Sequence, residues 1–133
     1  MKSLKTKKRP TRSRSKPKSK TLRYSVYVIE LRKSIYTESA KFRAANPQYK
    51  GVLECLYVGM TSKTPKQRMA QHINGIKSKK GHNISSNTVK KYGMYLRPSL
   101  YTDLNPMTRS AAIKMEEDLA NKLKRQGYAV WWN

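Results

Sequence analysis

One carboxylate in the chain stands where an apolar side chain is expected. At about 100° per residue, Ala112, Met115, Leu119, Ala120 and Leu123 fall within a single apolar sector of a helix, and Glu116 falls near its middle. Glu117 and Asp118 point away, among Lys114, Lys122, Lys124 and Arg125. A carboxylate on an apolar face is costly to desolvate unless a cation meets it. That cation can be an arginine, which makes Glu116 a structural ion-pair partner. It can also be a divalent metal, for which hard carboxylate oxygen suits Mg²⁺. Either way, a cation is expected opposite Glu116. Arg68 and His72 lie four residues apart on a second helix and so share a face. On a basic helix such a pair is more often a solvated face than a site. Tyr27 and Tyr57 lie on strands, where tyrosines are more often core or interface residues than catalysts. His82 stands in a polar loop and has no assigned role.

The elements that hold these residues follow from local signals. SVYVIEL, 25–31, reads as a strand, with Tyr27, Ile29 and Leu31 on one face and Val26 and Val28 on the other. VLECLYV, 52–58, reads as a second strand ending at Gly59, with Leu53, Cys55 and Tyr57 on one face. The residues between them, 32–51, are too many for a tight hairpin and form an inserted segment, in which ESAKFRAAN reads as a short helix stopped by Pro47. Thr64-Pro65-Lys66-Gln67 carries a helix start: N-cap threonine, proline at the first position, and glutamine completing a capping box. Met69, Ile73 and Ile76 give that helix an apolar stripe. Residues 77–90 read as a polar loop and 92–101 as a third extended stretch, with Pro98 marking an edge or break. A long helix runs from about Thr108 to Gln126 with Gly127 as its stop, and YAVWW closes the chain as a strand.

Lys and Arg total 30 against 7 Asp and Glu, a net charge of +23 over 133 residues. Residues 1–23 hold 11 of those cations, no acid, and few apolar side chains. They read as a disordered basic tail, whose KTKKRP stretch suits a nuclear address or plain phosphate contacts. The body still has 19 basic and 7 acidic residues, a net +12. A folded unit this basic repels itself, and a polyanionic partner is the usual reason. Nucleic acid is that expected partner. No apolar run reaches the ~18 residues of a membrane span, and the basic N-terminus lacks the apolar core of a secretory signal. Cys55 is the single cysteine, which excludes an internal disulfide, and too few Cys and His are present for a zinc finger. The expected location is the cytoplasm or nucleoid, or the nucleus of a eukaryote.

Ser25-Val26-Tyr27 and Tyr57-Val58-Gly59 resemble the paired tripeptides that name the GIY-YIG nuclease superfamily. MTSKTPKQRMAQH resembles that family's following loop and helix, with Arg68 eleven residues after Tyr57 and His72 four later. Ala112-Ile113-Lys114-Met115-Glu116 resembles its third signature, an alanine four before the metal-binding glutamate, and Asn133 matches the asparagine often found at the module's end. Ser25 stands where the name motif has glycine, and the 29 residues between the tripeptides exceed the usual spacing. The resemblance covers 24–133, the whole expected domain.

The resemblance implies an α+β fold: a small mixed, mainly antiparallel sheet of about three strands packed with helices. It also implies Mg²⁺-dependent (or Mn²⁺-dependent) hydrolysis of DNA phosphodiesters. In that reading Glu116 binds the metal, Arg68 clamps the scissile phosphate and Tyr27 activates water. Tyr57 positions the phosphate or the metal-bound water, and His72 is the alternative proton carrier. Lys63, in the loop before the helix, contacts phosphate, as does Asn133. Gly59, lacking a Cβ, lets phosphate or a helix approach the strand end. The DNA can be duplex or branched, and cleavage of both strands requires a homodimer or two successive nicks. A reading from another class is a basic nucleic-acid-binding protein without catalysis, or a nuclease-like accessory subunit.

Overall fold

The structure is a computed structural model that describes residues 22–74 and 86–132. The expected tail and Asn133 lie outside the described residues, apart from Leu22 and Arg23. The fold is α+β, with a sheet of four strands rather than three: β1 (Ser25–Leu31), β2 (Cys55–Thr61), β3 (Gly93–Leu96) and β4 (Ala129–Trp132). Their order is β3-β1-β2-β4. β1 pairs antiparallel with β2 and β3, and β2 runs parallel to β4, so the sheet is mixed and mainly antiparallel. The helices are α1 (Ser34–Glu38), α2 (Ala40–Ala45), α3 (Pro65–Asn74), α4 (Asn87–Tyr92) and α5 (Arg109–Gln126). Val26 to Ile29 of β1 and Cys55 to Val58 of β2 are buried on both faces, because the central strands are covered on each side.

The helix termini follow their sequence signals. In α3, Thr64 N–H donates to Gln67 Oε1 at 3.0 Å and Gln67 N–H donates to Thr64 Oγ1 at 3.1 Å, the reciprocal capping box. Thr108 caps α5 by accepting from Ala111 N–H, and Gly127 ends it at φ +112°. Four expectations are corrected. β2 begins at Cys55, not Val52, because the carbonyls of 51–53 are taken by side chains. Lys33 Nζ binds those of Gly51 and Val52, and the Tyr49 hydroxyl binds that of Leu53. β2 then runs past Gly59 to Thr61, which pairs with Ser25. Asn87–Lys90, read as loop, open α4, whose N-cap is Ser86; residues 77–85 of that loop lie outside the described ones. The third extended stretch shortens to β3, and Pro98 begins a single 3₁₀ turn.

Two asparagines complete the sheet. Asn46, fully buried, accepts from Val130 N–H at 2.7 Å and donates to Phe42 O at 2.9 Å, so the inserted segment closes the outer edge of β4. Asn105 accepts from Val26 N–H at 2.8 Å and donates to Val26 O at 2.7 Å. It serves the half of β1 that β3 does not reach.

Candidate active site

Register decides which side chains meet. Tyr27 lies opposite Gly59 and Ile29 opposite Tyr57, so the two tyrosines are diagonal neighbours on one face. Their ring centroids are 6.3 Å apart. A Cβ built on Gly59 would sit 2.5 Å from the Tyr27 hydroxyl oxygen and 2.6 Å from Cζ. The group that uses the missing Cβ is therefore the Tyr27 phenol, which lies across β2 where phosphate or a helix was expected.

α3 brings His72 to that phenol. Far from a solvated surface, His72 is fully buried, while Ile73, expected in the apolar stripe, is half exposed and Ile76 lies outside the described residues. The imidazole is admitted because both nitrogens are bonded. Ser86 N–H donates to Nδ1 at 2.8 Å, and Nε2 is 2.8 Å from the Tyr27 hydroxyl. A backbone amide can only donate, so Nδ1 is the bare nitrogen, and the neutral ring carries its proton on Nε2. The network thus assigns Nε2–H as donor to the Tyr27 oxygen. Burial and the Arg68 cation push the His72 pKa down to about 4, which keeps the ring neutral. Tyr57 receives the ring edge-on, with centroids 5.7 Å apart.

Arg68, one turn before His72, is half-buried and hydrogen-bonded to the Tyr27 side chain. Its Nη1 donates to Gln71 Oε1 at 2.9 Å, which fixes one arm of the fork. It lines a polar groove of about 280 Å³ together with Tyr24, Ser62, Lys63 and Gln71. Lys63 is exposed at the rim of this groove. Burial raises the Tyr27 hydroxyl well above the usual phenol range, and Tyr57 raises it further; the Arg68 charge and hydrogen bond oppose this without overcoming it. Tyr57 is likewise raised by burial, against a lowering hydrogen bond from Ser86. For both phenols desolvation outweighs the nearby Arg68 charge.

Glu116 completes the group from α5. Ala112, Leu119, Ala120 and Leu123 are buried beside it, Met115 and Glu116 are half-buried, and Glu117 and Asp118 are exposed, as the helical periodicity requires. Burial pushes the Glu116 carboxyl up to about 7. It lies close enough to both phenols for its charge to raise them. Among the described residues no side-chain cation forms an ion pair with Glu116. Ion pairs among the described residues join Arg97 with Glu30 and Glu54, and Lys114 with Asp118. None includes Glu116.

Among the described residues no cluster of three or more His, Cys, Asp or Glu exists, and Glu116 is the carboxylate beside the two phenols. That donor set fits Mg²⁺, which keeps several waters and takes further oxygens from a phosphate. Sequence reasoning brought Tyr27, Tyr57, Arg68, His72 and Glu116 into consideration but missed Gln71 and Ser86. Gln71 was legible as the i+3 neighbour of Arg68. Ser86 was legible only as a helix cap. No protein-family model, characterised protein or solved structure matches the chain.

Proposed function

We propose that the chain is a metal-dependent DNA endonuclease with one GIY-YIG-type active site, in keeping with its sequence resemblance to that superfamily. The observation that carries the reading is a half-buried Glu116, without an ion-pair partner among the described residues, facing a buried tyrosine pair tied to His72 and Arg68. A structural core gains nothing from a desolvated carboxylate left without a cation. A net charge of +23 supplies the attraction for a polyanion.

Glu116 would hold Mg²⁺ or Mn²⁺ with its carboxylate. The bound ion supplies Lewis-acid stabilisation of the charge that develops on the phosphate and the leaving 3′ oxygen. Arg68, with one arm on Gln71, presents its remaining donors to the scissile phosphate, and Lys63 holds a phosphate at the groove rim. The Tyr27 oxygen accepts from His72 and Arg68, and its own proton goes to the Tyr57 oxygen, a hydrogen bond that lowers the Tyr57 pKa. The same two donors stabilise the phenolate if Tyr27 gives that proton up. In this reading His72 positions Tyr27 and does not serve as the base, a role supported by Ser86 N–H on Nδ1 and the Tyr27 hydroxyl on Nε2. Tyr57, diagonal to Tyr27, orients the phosphate.

Incubating the purified chain with supercoiled plasmid tests this. Nicked circles should accumulate with Mg²⁺ or Mn²⁺ and not with EDTA. DNA bound but never nicked with either metal selects the non-catalytic binding protein instead.

A further inference from the structure

The stretch Lys63–Lys66 separates two grooves. One is the polar groove of Lys63 and Arg68. The other, about 490 Å³, is walled mainly by Pro65, Leu96, Pro98, Tyr101 and Pro106, with Lys66 at its rim. Consecutive residues divide between them: Tyr24 and Lys63 line the polar groove, Ser25 and Thr64 the apolar one. The two grooves thus border one another at Tyr24–Ser25 and at Lys63–Thr64. None of the tyrosines, His72 or Glu116 of the candidate site lines the second groove. Its polar groups are largely spent. Both ends of the Asn105 amide bind the Val26 backbone, and the Thr102 hydroxyl donates to Pro98 O at 2.7 Å. What remains is apolar surface with little fixed pattern of donors and acceptors.

The occupant must have apolar faces and carry an anion close by, since Lys63, Lys66 and Arg68 stand around the shared wall. A nucleotide is built that way, with a π-faced base one sugar from its phosphate. An apolar peptide lacks the anion, and a second copy of this chain, itself at +23, is repelled. We propose that the apolar groove takes one unstacked base of the DNA strand whose phosphate lies on Lys63 and Arg68. The inference rests on the nucleic-acid reading above and adds a substrate class to it. A base leaves the stack most cheaply at a mismatch, bulge, branch or single-stranded segment. With few free donors in the walls, capture is tolerant of base identity. The preferred substrate is then DNA with an unpaired base beside the bound phosphate.

The test uses the full chain in EDTA, so that no cleavage intervenes. Duplexes carrying a single 2-aminopurine at successive positions are compared with the same duplexes bearing a one-nucleotide bulge. Bulged DNA should bind about tenfold more tightly than intact duplex, the scale of one captured base. 2-Aminopurine fluorescence should rise at the captured position. Thr102→Trp, which fills the groove, should erase both effects while intact-duplex affinity stays within about twofold. Leu96 methyl resonances of the wild-type chain report on the groove without any substitution, since bulged DNA should shift them and intact duplex should not. Tight duplex binding with flat fluorescence and no preference for the bulge overturns the proposal and leaves the nuclease reading standing. So does a bulge preference that survives in folded Thr102→Trp, or unmoved Leu96 methyls. Failure to bind any DNA overturns both readings.

Discussion

Gly59→Ala tests the geometry of the site with one methyl group. The new Cβ would lie 2.5 Å from the Tyr27 hydroxyl oxygen, 2.6 Å from Cζ and 3.1 Å from Cε1. Ordinary contact begins near ~3.5 Å, so the phenol must withdraw by about 1 Å. Tyr27 is 1% exposed, so its phenol can withdraw only by displacing the side chains packed around it. Its 2.8 Å bond to His72 would then stretch beyond hydrogen-bonding range. Overpacking and the lost bond together cost about 1–3 kcal/mol, a fall in Tm on the order of 5–15 °C. Calorimetry on a double-mutant cycle isolates the cause. In a Tyr27→Leu background the clashing atoms are gone, so Gly59→Ala should cost about 1 kcal/mol less than in the wild type. Turnover should fall about 10²-fold in Gly59→Ala with DNA affinity kept, as expected for a group misplaced by ~1 Å. A neutral Gly59→Ala, or an equal cost in both backgrounds, would refute the packing of Tyr27 across β2.

Arg68→Lys keeps the charge and loses the fork, so turnover in a nicking assay should drop by about 10²-fold with only a modest loss of DNA binding. Ser86→Pro removes the amide that covers His72 Nδ1, and ¹⁵N NMR of the imidazole should show the single Nε2–H tautomer of the wild type giving way to a mixture; Ser86→Ala, which keeps the amide, should preserve it. The pH dependence of stability carries two opposed slopes. His72 falls to about 4 on folding, so its neutral form costs stability as pH drops from ~6.5 toward 4. Glu116 rises to about 7, so its contribution is lost as pH rises from 4.5 to 7. Glu116→Gln removes the second slope alone: relative to the wild type, its stability measured by urea denaturation should rise with pH across this window, and a parallel pH profile would contradict the burial of Glu116.

The capping box of α3 and both ends of α5 were legible because each rests on side-chain chemistry within three or four residues. The apolar sector that isolates Glu116 was legible for the same reason. What escaped were contacts set by register and by distant chain. Nothing local says that Tyr27 lies opposite Gly59, or that Asn46 and Asn105 cap strands 84 and 79 residues away. The inserted segment read only as an insertion with a short helix and proved to close an edge strand. His72 read as a surface residue because periodicity weighs hydrophobicity. An imidazole bonded on both nitrogens enters the interior without being apolar. α4 escaped because only Val89 and Tyr92 of its six residues are buried, too short a pattern to stand out from a polar loop.

In the proposed nuclease, Glu116 is the carboxylate on which metal-dependent cleavage depends. The most direct test is nicking of supercoiled plasmid by Glu116→Gln, with Glu117→Gln as the control on the exposed side of the same helix turn. The amide keeps the shape of the side chain and gives up the anionic ligand. Cleavage should collapse in Glu116→Gln while Tm holds or rises and DNA binding in EDTA is unchanged or tighter; Glu117→Gln should cut like the wild type. Full Mg²⁺-dependent nicking by Glu116→Gln, or an equal collapse in Glu117→Gln, contradicts the account.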